Sequence, residues 1–317
     1  MITPPGSSLP PLRSSSEQPG GDPQNVTEAF GARFAAALAE RGQFCVGIDP
    51  HAGLLREWGL DDTVEGLERF ALTAVEAVAP YCSVVKPQSA FYERFGSRGV
   101  AVLERVIAES RAAGALVLLD VKRGDIGSTS QAYAEAYLDP ASPLSSDAIT
   151  ISPYLGFGSL VPFVEVARLH GAGLFVLAAT SNKEGPEVQR AVTNDDFGGR
   201  TVASAMLAHL RDLNGGAQPV GSFGAVVGAT LRDGSFLASS GQAGGGSGLD
   251  FAINGPILAP GYGEQGGTAA DIVRIFGASA QHVVASSSRG VLRLGPDAAA
   301  MRGAVERAND ELRCLLA

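Results

Sequence analysis

Apolar positions along the chain repeat one pattern: a short uninterrupted run, then a longer amphipathic stretch, with polar residues gathered where each run ends. Ahead of this alternation, Phe30, Phe34 and Leu38 recur at four-residue spacing, which predicts a helix from about Val26 that Gly42 stops. The runs then fall at 44–48, 83–85, 115–119, 148–151, 174–179, 225–227, 257–259 and 282–285. Runs of this length, bounded by turn residues, read as buried strands. Between them lie helical patterns, such as the stripe Leu67, Phe70, Ala71, Ala74, Val75 and Val78, closed by Pro80. Others are expected at 100–113, 131–138, 160–170, 201–213, from Thr268 as a cap to Phe276, and from Asp297 onward. Eight strand–helix units in unbroken alternation predict a (β/α)8 TIM barrel over 26–317, as a single domain. An open doubly wound sheet is the second choice, but no G-x-G-x-x-G follows the first run. Residues 1–25 are Pro, Ser and Gly without hydrophobic period and read as a disordered tail; 233–249 are Gly and Ser rich and carry no element.

Composition narrows the class. Over 317 residues, 45% are apolar and 18% charged, which is the balance of a soluble globular enzyme. A net charge of −9 argues against nonspecific nucleic-acid binding, so an anionic ligand needs a local cluster of cations. Cys45, Cys82 and Cys314 lie far apart without metal-ligand spacing and read as reduced thiols of a cytoplasmic protein, two of them in the core. No apolar run reaches transmembrane length.

In a barrel of this kind the chemistry lies at the C-terminal ends of the strands. Those ends carry Asp49, Lys86, Asp120 with Lys122, and Arg289. The run 115–119 leads into Asp120-Val121-Lys122-Arg123-Gly124-Asp125-Ile126. If it is a strand, which periodicity alone does not separate from a short helix, Asp120 and Lys122 share one face. A lone D-x-K is most simply a structural ion pair. Several alternating Asp and Lys in one mouth would instead hold one another ionised. Loops after the seventh and eighth strands of such barrels often bind phosphate. Here they hold Gly261, Gly263, Gly266 and Gly267 on one side and Arg289-Gly290 on the other, with Gln265 as a neutral donor. The four histidines show no metal-ligand spacing, although His51 lies near the mouth; Tyr154 and Phe91 read as packing, and Trp58 carries no functional signal.

With these strand ends assembled, the chain resembles the orotidine 5′-phosphate decarboxylases, and most closely their bacterial type-2 branch. The resemblance rests on Gly47-Ile48-Asp49, Val85-Lys86-Pro87, the D-x-K-x-x-D-I segment 120–126, Thr180-Ser181-Asn182, the segment 259–267, and Ser286-Ser287-Ser288-Arg289-Gly290, in family order. It implies decarboxylation of orotidine 5′-monophosphate to UMP without metal or cofactor, in de novo pyrimidine biosynthesis. By position, it implies that Asp49 and Lys86 contact ribose, that Asp120 faces the substrate carboxylate, and that Lys122 protonates C6. It further implies that Ser181 reads the pyrimidine, that Pro260, Gln265, Arg289 and Gly290 contact substrate with Gln265 and Arg289 on phosphate, and that Asp125 and Thr129 reach the partner's site in a homodimer. Glu264 stands where relatives usually carry a small residue, and we expect it to face solvent. Mg²⁺-dependent sugar-phosphate enzymes share the D-x-K strand, but they need an acid where Lys86-Pro87-Gln88 stands. A noncatalytic nucleotide-binding barrel is the alternative from another class.

Overall fold

The computed structural model describes residues 28–231 and 248–316, in which all eight apolar runs form strands. They are β1 (Phe44–Ile48), β2 (Val84–Pro87), β3 (Leu116–Arg123), β4 (Ala148–Ile151), β5 (Gly173–Ala179), β6 (Phe223–Val227), β7 (Ile257–Pro260) and β8 (Val283–Ser287). Each pairs in parallel with the next, and β8 pairs with β1, so the sheet closes into the expected (β/α)8 barrel. Helices alternate with the strands: α1 (Phe30–Arg41) precedes β1, α2 (Ala52–Glu57) and α3 (Val64–Val78) follow it, and α4 (Ala90–Glu93) and α5 (Gly96–Ala112) follow β2. After these come α6 (Gly127–Leu138), α7 (Val161–His170), α8 (Pro186–Gln189), α9 (Val202–Leu213), α10 (Ala269–Phe276), α11 (Arg289–Leu292) and α12 (Ala298–Leu312). Thr268 caps α10 in a reciprocal capping box with Asp271, which satisfies two otherwise unpaired backbone donors. Segments 1–25 and most of 233–249 fall outside the described residues.

Two apolar layers build the molecule. The outer one packs helices on the sheet. The inner one joins Cys45, Val84, Leu118, Phe175, Val226 and Val284 of the barrel interior to Phe30, Phe34 and Leu38 of α1. The four-residue spacing in α1 therefore has a specific target: the helix lies across the N-terminal end of the barrel and seals it. Phe30 meets Phe175 edge-on with ring centroids 6.0 Å apart. Burying each such ring contributes roughly 1.5–3 kcal/mol. Asp147, at the start of β4, fastens the same end by accepting from Arg33, from Arg111 and, at 2.9 Å, from the Val117 backbone N–H. Cys45 and Cys82 are buried, as expected, and Cys314 is exposed.

Strand side chains alternate between faces, so two steps along from the inner layer is again interior, nearer the C-terminal mouth. From Val84, Leu118, Ala148 and Val284 that step reaches Lys86, Asp120, Thr150 and Ser286. The apolar interior gives way to polar groups in one stride.

Candidate active site

Asp120 is the hub of the mouth. Its Oδ1 accepts from Lys122 Nζ at 2.6 Å and Thr150 Oγ1 at 2.7 Å, while Oδ2 lies 3.2 Å from Lys86 Nζ. With its amide nitrogen turned toward Asp120, Gln88 donates to the Asp120 carbonyl at 2.6 Å and to Oδ2 at 3.1 Å. Burial pushes the Asp120 carboxyl up, but Lys86 and Lys122 outweigh it and hold the pKa down to about 2. Burial likewise opposes the charge on Lys86, yet Asp120 and Asp49 outweigh it and raise that amine above its usual range. Asp120 and Lys86 are each 8% exposed, whereas the Lys122 side chain is 45% exposed. The array is thus a fixed, ionised pair at the base with a second ammonium above it.

The backbone at Lys122 is unusual. Its φ is 45°, in the left-handed region that a lysine rarely adopts and that costs of order 1–3 kcal/mol. The β3–β4 register shifts between Leu119 and Arg123, and the Lys122 N–H leaves the ladder to donate to Thr150 Oγ1 at 3.0 Å. Just beyond, Arg123 pairs with Glu93 at 2.5 Å and lies over the Tyr133 and Tyr137 rings, which pins the end of the strand. Thr150, Gln88, Glu93 and Arg123 were not singled out from sequence. A hydroxyl on the adjoining strand and an amide two residues past Lys86 gave no pattern of their own.

Across the mouth, Gly47 lets β1 approach β8: a Cβ there would meet Ser288 Cβ at 2.9 Å and Asp49 Oδ2 at 3.3 Å. Asp49 Oδ1 and Ser288 Oγ are both buried without a hydrogen-bond partner, a pairing capacity left open beside the array. Below them Cys45 is pushed up to about 12, chiefly by burial, so it serves as apolar lining.

The remaining wall comes from β7 and β8. Gly261, Gly263 and Gly266 have φ of 101°, 71° and 87°, so the loop after Pro260 turns through conformations that favour glycine. Gln265 points back across the mouth, and its Oε1 accepts from Ser181 Oγ at 3.4 Å. Arg289 opens α11, exposed, and its guanidinium has no ion-pair partner among the described residues; Gly290 follows it. Glu264 is exposed, as expected, and its carboxylate engages Arg293.

Two predicted residues stand apart. Asp125 lies between β3 and α6 with its Oδ1 accepting from the Ile126 N–H at 2.8 Å, and Thr129 is exposed on α6. Neither touches the Asp120 cluster within the chain. Tyr154, expected to pack, is instead 77% exposed, next to Leu155, on a loop that meets the one carrying exposed Ile126 where Ser152 N–H donates to Arg123 O at 2.7 Å. It follows β4 in a turn and lines part of the cavity beside the mouth. His51 is half-buried beside Phe91, at 5.9 Å between ring centroids. Trp58 packs, and its Nε1 donates to Leu292 O at 2.8 Å. A cavity of about 1030 Å³ opens beside the mouth, lined by Phe157, Val188, Phe197, Met206 and His209, but none of the charged cluster reaches it. Among the described residues no three His, Cys, Asp or Glu side chains gather where they could hold a metal ion.

Known proteins resemble this arrangement throughout. Residues 42–304 match the model of the orotidine 5′-phosphate decarboxylase / HUMPS family. An orotidine 5′-phosphate decarboxylase of a Nocardioides species is 69% identical over 284 residues, covering 90% of this chain and 98% of its own. One from Streptomyces coelicolor is 61% identical over 286 residues, covering 90% and 98%. Among solved structures, a Streptomyces avermitilis protein provisionally assigned the same activity superposes with a TM-score of 0.84 at 59% identity, covering 92% of this chain and 97% of that one. The Leishmania donovani OMP decarboxylase gives 0.67 at 28%, covering 91% and 98%. The chain belongs to the orotidine 5′-phosphate decarboxylase / HUMPS family.

Proposed function

We propose that the chain decarboxylates orotidine 5′-monophosphate to UMP and CO₂, a step of pyrimidine biosynthesis, without metal or cofactor. The observation that carries this reading is Asp120 held ionised between Lys86 and Lys122, with the exposed Arg289 and the Gln265 loop also at the strands' C-terminal ends. Breaking the C6–carboxylate bond releases neutral CO₂ and leaves the electron pair on C6. Lys122 stabilises that charge, which appears only in the transition state, and then donates its proton to C6. Solvent restores the lysine. Asp120 faces the substrate carboxylate; their repulsion vanishes as CO₂ leaves. Asp49, with its open Oδ1, and Lys86 receive ribose hydroxyls. Ser181 meets the pyrimidine edge, Pro260 and Gly290 line the pocket, and Gln265 and Arg289 take the phosphate. Remote phosphate binding then holds the reacting ring in place.

Residues 26–317 act as one catalytic domain, in a homodimer in the cytoplasm. Asp125 and Thr129 of each subunit complete the partner's site. Exposed Ile126, Tyr154 and Leu155 support this: they lie on two loops that meet at Arg123 and Ser152, beside Asp125, where a partner surface would cover them. The family also contains sugar-phosphate enzymes, and a Mg²⁺-dependent reading disagrees with Lys86, whose ammonium occupies the position beside Asp120 where a cation would sit. Incubating the pure protein with orotidine 5′-monophosphate in EDTA and following the substrate's absorbance tests the choice. Turnover to UMP is expected. Activity that appears only on adding Mg²⁺ would favour the metal-dependent reading.

A further inference from the structure

The two loops assigned to phosphate leave different strands. One has three glycines in the left-handed region, and the other begins a four-residue helix. Each is fastened to the body on its far side. The Tyr262 ring is buried against Phe44, and its hydroxyl donates to Glu311 of α12 at 2.5 Å. Trp58 donates to Leu292 O in the Arg289 helix at 2.8 Å, and a side chain at Gly295 would strike its ring. Glu264 and Arg293 then join the loops to each other. Arg293 Nη2 lies 3.0 Å from Glu264 Oε1 and Nη1 lies 3.2 Å from Oε2, a two-pronged pair between the glycine loop and the residue four places past Arg289.

We infer that Glu264 and Arg293 are positioning residues: their ion pair sets the spacing between the glycine loop and the Arg289 helix, so that one phosphate meets both. This rests on the phosphate reading above. Glu264 taken alone is an acid beside an anion site and opposes binding. Paired, its charge is neutralised and its two oxygens fix the orientation of the Arg293 fork. A surface ion pair of ordinary kind contributes little, but this one ties together two segments that leave different strands.

Calorimetric binding of UMP and of uridine separates these cases, because opposite signs are expected. If Glu264 were only an acid near phosphate, Glu264→Gln would tighten UMP and Glu264→Arg would tighten it further. As a positioning residue, its loss weakens UMP about three- to fivefold in Glu264→Gln and in Arg293→Gln, while uridine changes less than about twofold. Glu264→Arg alone sets two cations face to face and weakens UMP too, despite the added positive charge. Combining it with Arg293→Glu restores the pair and returns UMP affinity to within about twofold of the original. Tighter UMP in Glu264→Gln, or no change in both single variants, overturns the inference while leaving the phosphate site standing. A parent protein that binds UMP no better than uridine overturns the phosphate reading and this inference with it.

Discussion

Lys122 Nζ stands 2.6 Å from Asp120 Oδ1, two residues back on the same strand, and Lys86 Nζ closes on the other carboxylate oxygen from β2. An acid between two ammonium groups is how this mouth keeps a buried carboxylate ionised without a metal ligand set. Removing either charge type would leave the other uncompensated in a poorly hydrated place.

The pH dependence of stability follows from that arrangement. Asp120 is held at about 2 against an ordinary 3.8, so its contribution is fully present above the ordinary value and is lost as pH falls from about 4 through about 2. The size is about 2 kcal/mol. Lys86 has the opposite sign: raised in the folded state, it contributes below its ordinary value and loses that contribution only as pH rises through its elevated one. Unfolding free energies of the parent and of Asp120→Asn, measured from pH 6 down to pH 2, should converge by about that amount. A difference that stays constant across the range contradicts the assignment.

Arg289→Ala should act on the phosphate and little else. The guanidinium is exposed and lacks an ion-pair partner among the described residues, so its loss leaves no buried charge behind. We expect kcat/KM for orotidine 5′-monophosphate to fall by a factor on the order of 10² or more. Orotidine, which lacks the phosphate, should lose far less. Equal losses on both substrates would remove Arg289 from the phosphate site.

Shared sites in a homodimer make a mixing prediction. Lys122→Ala and Asp125→Ala homodimers should each be nearly inactive. A mixed dimer carries both lesions in one site and none in the other. After joint unfolding and refolding, about half of the dimers are mixed, and recovery should approach ~25% of the parent. If tagged chains prove that exchange occurred and activity stays at background, Asp125 acts only on its own Ile126 N–H.

The fold was legible because strands and helices alternate in hydropathy, but strand ends were not. Hydrophobicity stops at Leu119, Val85 and Ala259, whereas β3, β2 and β7 continue through Arg123, Pro87 and Pro260. In a barrel whose chemistry sits at strand ends, the last residues are polar because they work, so hydropathy ends before the strand does. The start of α6 was hidden for another reason: Gly127, Ser128, Thr129 and Ser130 are helical but too small and polar to show a period. The helix at Phe30 was evident, but its docking across the barrel end was not, since spacing gives a face and not a target. Within the site, charges at Asp120, Lys122 and Lys86 announced themselves. Thr150 and Gln88 did not, because a neutral donor acquires meaning only from what it faces. The left-handed backbone of Lys122 has no signature in the residues that flank it.

The most direct test of the account is the turnover of Lys122→Ala beside the parent protein, followed by loss of orotidine 5′-monophosphate absorbance under EDTA. The ammonium is the only group assigned both to stabilise the C6 charge and to protonate it, and Lys86 still faces Asp120 when it is removed. With circular dichroism unchanged, we expect turnover to fall by more than roughly 10³. Turnover within about tenfold of the parent would contradict the role of Lys122 and the reading of the site built on it.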